Sequence, residues 1–149
     1  METIGYALPF PVLAWLCFRL WPDDRDRWHT DPADTSEAHR SAVRLIGQEA
    51  PRFPCDAETV LEVMSAIAVN EPGTRFLDGS IEEGMMTFVT SSPFGFRDYT
   101  TIKAVDEPGR SKLAIHARSR LSWPDRGSNT ARLDRWLLEA EQTLGRREH

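Results

Sequence analysis

Ser111-Lys-Leu-Ala-Ile-His-Ala-Arg-Ser-Arg-Leu-Ser122 alternates in side-chain character, and that alternation decides the fold. Successive side chains of a strand point to opposite faces, so Leu113, Ile115, Ala117, Ser119 and Leu121 share one side. Lys112, His116, Arg118, Arg120 and Ser122 share the other, which makes one face core and the other a basic row. Downstream of Trp123-Pro124, Leu133, Trp136, Leu137, Ala140 and Leu144 recur at helical spacing, with Ser128 or Asn129 as N-cap. An apolar stripe of that width needs a sheet to cover, and the preceding strand supplies its edge.

The same grammar extends toward the N-terminus. Glu107-Pro-Gly-Arg110 reads as a hairpin turn, and Arg97 to Val105 as the strand before it. Further back lie a loop at Ser91-Ser-Pro-Phe-Gly95, a strand from Met85 to Thr90, a turn at Asp78-Gly-Ser80 and a strand from Thr74 to Leu77. Asp56 is placed to cap a helix carrying Val60, Val63, Met64 and Ile67 on one side, until Glu71-Pro-Gly stops it. These connections are too short for parallel crossovers, so the sheet is an antiparallel meander. The expected class is α+β: an N-terminal apolar helix, then a helix and a mainly antiparallel four- to five-stranded sheet closed by a C-terminal amphipathic helix.

A chain of 149 residues suits one domain with a real core and an appendage. Residues 1–21 read as an apolar anchor segment, 22–51 as a polar linker with one short helix around Ser36 to Ile46, and 52–149 as a single α+β domain. Trp28 and His29 stand out in the linker as a pair that would dock it on the domain or sit at headgroup level. The net charge of −5 is unevenly spread. Phe53 to Gly109 carries ten acidic and three basic residues, whereas Arg110 to His149 carries nine basic and five acidic. An acidic middle pairs with a basic end internally, and with no recognition motif present, nucleic-acid binding is disfavoured. Cys17 and Cys55 form no disulfide framework, and Leu16 is too bulky for lipoprotein processing before Cys17. His29, His39, His116 and His149 lack metal-ligand spacing, and no phosphate loop or dinucleotide fingerprint occurs, so no metal or cofactor is expected.

From Ile4 to Phe18 there is no charged residue; counted to Trp21 the run is 18 residues, about 27 Å as a helix against a hydrocarbon core of ~30 Å. Tyr6, Trp15 and Trp21 suit interfacial positions, while Pro9 and Pro11 favour a bent or interfacial helix over a straight span. Residues 4–21 are therefore expected to attach the chain to an inner (cytoplasmic) membrane, spanning it or lying on it, the alternative being a helix docked on its own domain. Arg19, Arg25 and Arg27, all after the run, place the domain weakly on the cytoplasmic side.

The stretch Ala117-Arg-Ser-Arg-Leu-Ser-Trp-Pro-Asp-Arg-Gly-Ser-Asn-Thr-Ala-Arg-Leu133, preceded by Gly95-Phe-Arg-Asp98, resembles the bacterial and plastid family called domain of unknown function fourteen-ninety-nine. That family shows an Arg-Ser-Arg strand end, an Asp-x-Gly-x-Asn turn, an Arg in the first helical turn and an earlier Gly-Phe-x-Asp. Arg118, Ser119, Arg120, Asp125, Gly127, Asn129, Arg132 and Asp98 match those positions. The run Arg19-Leu-Trp-Pro-Asp-Asp24, then Trp28-His29 and Asp31-Pro32, is similar to an alphaproteobacterial branch with an N-terminal anchor. Where the family often has a second acidic residue after Asp98, Tyr99 stands here. The resemblance implies a fold and brings no activity with it.

Asp98, Arg118, Arg120, Asp125, Asn129 and Arg132 are thus the candidate site residues. Read as a site, two guanidinium forks beside a helix N-terminus receive an anion such as a phosphate or lipid headgroup. Read as structure, Asp98 and Asp125 neutralise the arginines and Asn129 caps the helix. The sequence favours a membrane-tethered, non-enzymatic binding module for a partner protein or an anionic, amphipathic ligand. An accessory or assembly subunit of a larger membrane complex comes second. A hydrolase-type enzyme comes third, since His116 and Asp98 lack a nucleophile-elbow serine.

Overall fold

The computed structural model describes residues 9–34, 36, 42–121 and 127–145. Its elements run α1 (Pro9–Leu20), α2 (Arg25–Trp28), β1 (Val43–Leu45), β2 (Arg52–Phe53), α3 (Ala57–Asn70), β3 (Thr74–Ser80), β4 (Met85–Ser91), β5 (Arg97–Glu107), β6 (Arg110–Ser119) and α4 (Ser128–Leu144). All strand pairings are antiparallel, in the order β1-β6-β5-β4-β3, with β2 also on β6. The α+β class and the meander from β3 to β6 are as the sequence implied.

The core lies between one sheet face and the two long helices. Met86, Phe88, Ile102, Ala104, Leu113, Ile115 and Ala117 meet Val60, Leu61, Met64 and Ile67 of α3 and Leu133, Trp136, Leu137 and Ala140 of α4. Helix α3 begins where expected, with Asp56 Oδ1 accepting from the Thr59 amide at 2.7 Å. Its far end is tied to α4 through Glu71, which accepts from Arg135 at 2.5 Å and from Trp136 Nε1 at 3.3 Å. At the opposite end of the sheet, Glu107 accepts from Arg52 and Arg110, both at 3.1 Å, pinning β2 to the β5–β6 hairpin.

The other sheet face is covered as well. Residues 19–31 cross it as a strap, and Trp28, 1% exposed, stacks on Tyr99 with ring centroids 3.9 Å apart and planes 3° from parallel. Leu77 and Val89 complete this second, smaller cluster. β4, β5 and β6 are therefore buried on both sides at their centres, and the middle of the basic row on β6 is interior: His116 is 2% exposed and Arg118 0%.

Four local expectations change. Val43–Leu45 forms a strand on β6 rather than part of a helix from Ser36 to Ile46; residues 37–41 of that stretch lie outside the described residues. Asp78-Gly-Ser80 is not a turn but continues β3 past a bulge between Phe76 and Asp78, and the chain reverses at Ile81–Gly84. Gly79 makes this possible: at φ +99° a Cβ would lie 2.1 Å from the Met85 carbonyl oxygen and 2.8 Å from His29 Cε1. Segment 22–34 is not a free linker: of the two expectations for Trp28 and His29, docking on the domain is the one observed. Finally, α1 has 12 residues, about 18 Å, and among the described residues no helix is long and apolar enough to cross a membrane, so the spanning alternative is not supported.

If the strap belongs to the cooperative unit, Trp28→Ala costs about 3–5 kcal/mol, the range for deleting a buried aromatic. Urea denaturation measures it; a loss below about 1 kcal/mol would place the strap outside that unit.

Candidate functional site

The six candidate residues do not form one cluster. Strand parity, read correctly, separates them: Asp98 and Ser119 pair across β5 and β6 on the α4 side, while Tyr99 and Arg118 pair on the strap side. Asp98 therefore does not neutralise Arg118 or Arg120. Asp125 lies outside the described residues.

On the α4 side four groups close a ring. Asp98 Oδ1 accepts from Ser119 Oγ at 2.6 Å and its Oδ2 from Arg132 at 2.9 Å. Arg132 also donates to Asn129 Oδ1 at 2.8 Å, and Asn129 Nδ2 donates to Ser119 Oγ at 3.3 Å. Asn129 is fully buried and Arg132 7% exposed. The expected N-cap role for Asn129 or Ser128 is not taken up: the cap position is Gly127, which has no side chain, and Asn129 turns inward. The ring bolts the first turn of α4 to the ends of β5 and β6.

On the strap side the organising group is Asp23, a residue that sequence reasoning passed over. Its side chain is 5% exposed. Oδ1 accepts from Tyr99 Oη at 2.5 Å, Arg97 at 2.8 Å and Arg120 at 2.9 Å, while Oδ2 pairs with Arg75. The same guanidiniums cap α1. Arg97 donates to the carbonyls of Arg19 and Trp21, both at 2.6 Å, and Arg120 to those of Trp21 at 3.3 Å and Pro22 at 3.0 Å. The Arg19 oxygen belongs to the negative end of the α1 dipole, and it, the two carbonyls beyond it and Asp23 together offset the clustered positive charge. Burial alone would raise the Asp23 carboxyl pKa; hydrogen bonds from Tyr99 and Arg97 and the charges of Arg97 and Arg75 outweigh it and hold it below the ordinary range. Burial, then the Asp23 hydrogen bond and charge, pushes the Tyr99 phenol well above its usual range, keeping it a donor.

Arg118 sits deeper. It donates to the Trp28 carbonyl, to Thr30 Oγ1 at 3.1 Å and to His116 Nδ1 at 2.9 Å, with its guanidinium carbon 5.4 Å from the Trp28 ring centroid. Next along the strap, His29 bonds Thr87 Oγ1 through Nδ1 and Glu83 through Nε2, each at 2.8 Å. Thr87 continues to Thr101 at 2.9 Å, which donates to the Trp28 carbonyl at 3.1 Å. The carboxylate–imidazole–hydroxyl order resembles a hydrolytic triad, but Thr87 and Thr101 are both wholly buried, so no substrate reaches the hydroxyl. The chain acts as a clamp. Among the described residues, no group of three or more His, Cys, Asp or Glu is placed to hold a metal ion.

Sequence signals for the missed residues existed in part. Trp28 and His29 were conspicuous, and Tyr99 follows from strand parity; Asp23 was one of three aspartates within four residues, with nothing local to select it. No family model and no curated protein matches this chain.

The two networks predict a pattern of coupling. Asp98→Ala with Arg132→Ala should show an interaction of about 0.5–3 kcal/mol, and Asp98→Ala with Arg120→Ala should add to within about 0.5 kcal/mol. Equal coupling in both pairs would contradict the division by face. The depressed carboxyl of Asp23 also sets an acid limb. Its contribution is full above about pH 4, the ordinary aspartate value, and is lost as pH falls through its lower folded value. Asp23→Asn should therefore lower Tm at neutral pH and flatten its fall below about pH 4, as calorimetry across pH would show.

Proposed function

We propose that this protein is a non-enzymatic binding module held at a membrane surface by α1. The observation that carries the reading is that α1 is apolar but for Arg19 in its last turn and buries none of its 12 residues. Phe10, Leu13 and Leu20 are 77%, 60% and 74% exposed. So apolar a helix belongs in an apolar environment, and this one does not find it on its own domain. At about 18 Å it suits the interface plane rather than a crossing, and Trp15, Arg19 and Trp21 are side chains that favour headgroup level. The concentrated charge at the strand ends is engaged in internal ion pairs and hydrogen bonds, which supports a binding role over a catalytic one. Binding is the remaining role, toward a partner protein or an amphipathic ligand on the cytoplasmic face.

An accessory subunit of a larger membrane complex is the second reading, favoured by the same naked helix packing against other helices. The test is flotation of the full chain with phosphatidylcholine vesicles. The wild type should float, and Leu13→Glu with Leu16→Glu should remain in the dense fraction with unchanged Tm, both side chains being exposed. A wild type that stays in the dense fraction while co-purifying in fixed stoichiometry with membrane proteins would support the second reading instead.

A further inference from the structure

We infer that the β4–β5 loop is a second membrane contact, forming one lipid-facing platform with α1 and fixing the orientation of the domain; this rests on the membrane placement of α1 proposed above. Phe94, at the loop tip, is 71% exposed, and Phe96 47%. A lone exposed phenylalanine is ordinary on a surface, but these two sit against the exposed helix rather than apart from it. Trp15 Nε1 donates to the Phe94 carbonyl at 3.0 Å and Arg19 donates to the Pro93 carbonyl at 2.8 Å. The Phe18 and Phe96 rings meet edge to face at 6.0 Å. Gly95, at φ +89°, allows the approach: a Cβ there would lie 3.2 Å from Arg19 Cγ. The polar atoms of the junction are thus spent between loop and helix, which leaves the apolar rings outward.

The composition of the platform selects its occupant. The net charge of the chain is −5, yet residues 9–22 and 92–96 contain no carboxylate and only one charged group, Arg19. An apolar surface edged by tryptophan and arginine and free of acids matches a bilayer interface that includes anionic headgroups.

Two points of contact fix orientation where one would allow swinging. The first residue of β5, Arg97, holds the α1 C-terminus, so β5 and β6 stand away from the platform. Their turn at Pro108-Gly109 lies about 35 Å off along the 11-residue β5. The distal end of the sheet faces the aqueous phase.

Flotation with phosphatidylcholine vesicles containing phosphatidylglycerol tests the platform in the full chain. Phe94→Ser should weaken binding by about tenfold or more, as loss of a buried phenyl group requires, at unchanged Tm. Leu138→Ser, which removes a 56% exposed side chain on α4, should leave binding unaltered. If Phe94→Ser binds like the wild type while Leu13→Glu with Leu16→Glu does not, the loop contact is wrong and the attachment by α1 stands. A wild type that fails to bind vesicles overturns both. Self-association weakened by Phe94→Ser, without vesicle binding, would assign the surface to a second copy of this chain and overturn the lipid assignment.

Discussion

The carboxylate of Asp23 is the constraint on which the second face of this sheet depends. Tyr99, Arg97 and Arg120 all direct donors at one of its oxygens, and Arg75 engages the other. Two helices cover only one side of the six strands. Without the strap, Leu77, Val89 and Tyr99 would be exposed to water beside an arginine row. Asp23 fixes the strap at the point where the chain leaves α1, and Trp28, five residues later, fills the apolar patch that this positions. Removing the carboxylate would leave the half-buried Arg97 and Arg120 without their shared acceptor and so destabilise the strap face.

Carboxylates alone do not account for the arginine row. One Asp23 charge cannot match three guanidiniums, and the balance is made by backbone carbonyls: Arg19 in the last turn of α1, Trp21 and Pro22 just after it, and Trp28 at the end of α2. A planar fork with several donors suits this use, since Arg97 engages two carbonyls and a carboxylate at once. Lysine, a single point charge, has no such geometry. Of the 18 basic residues only Lys103 and Lys112 are lysines, and on this face the arginines have a local structural use.

Much of the fold was legible because its signals are local. Strand alternation from Ser111, the Glu107-Pro-Gly-Arg turn and the Asp56 cap each depend on neighbours in sequence, and each led to the right element. What escaped was long-range. Nothing near Asp23 announces that it will meet residues more than fifty positions away, whereas Trp28 and His29 stood out of the polar segment 22–34 and do dock it on the domain. The same limit split the candidate site. Arg118, Arg120, Asp98 and Arg132 are close in sequence or register, yet parity sends Asp98 through the sheet to α4 and leaves Arg118 under the strap. Even where alternation had placed the arginines on one face, the inference that Asp98 would neutralise them ignored its own parity, one residue before Tyr99.

Replacing a linker by a strap changes what α1 can do. Thirty flexible residues between an anchor and a domain would let the domain wander by roughly 30 Å, and a tether of that kind only raises local concentration. Here Arg97 holds the Arg19 carbonyl in the last turn of α1, and Arg97 and Arg120 hold those of Trp21 and Pro22 just beyond it, so the end of the helix is tied directly to the sheet. On the proposed membrane placement, docking of α1 dictates the direction of β5 and β6. Any displacement of α1 would load the Asp23 face first. The ring of Asp98, Ser119, Asn129 and Arg132 lies on the other side of the same strands and holds α4 through separate bonds. The helical layer can therefore keep its seat while the strap face yields, which is why the division of the polar seam into two networks matters more than its total charge.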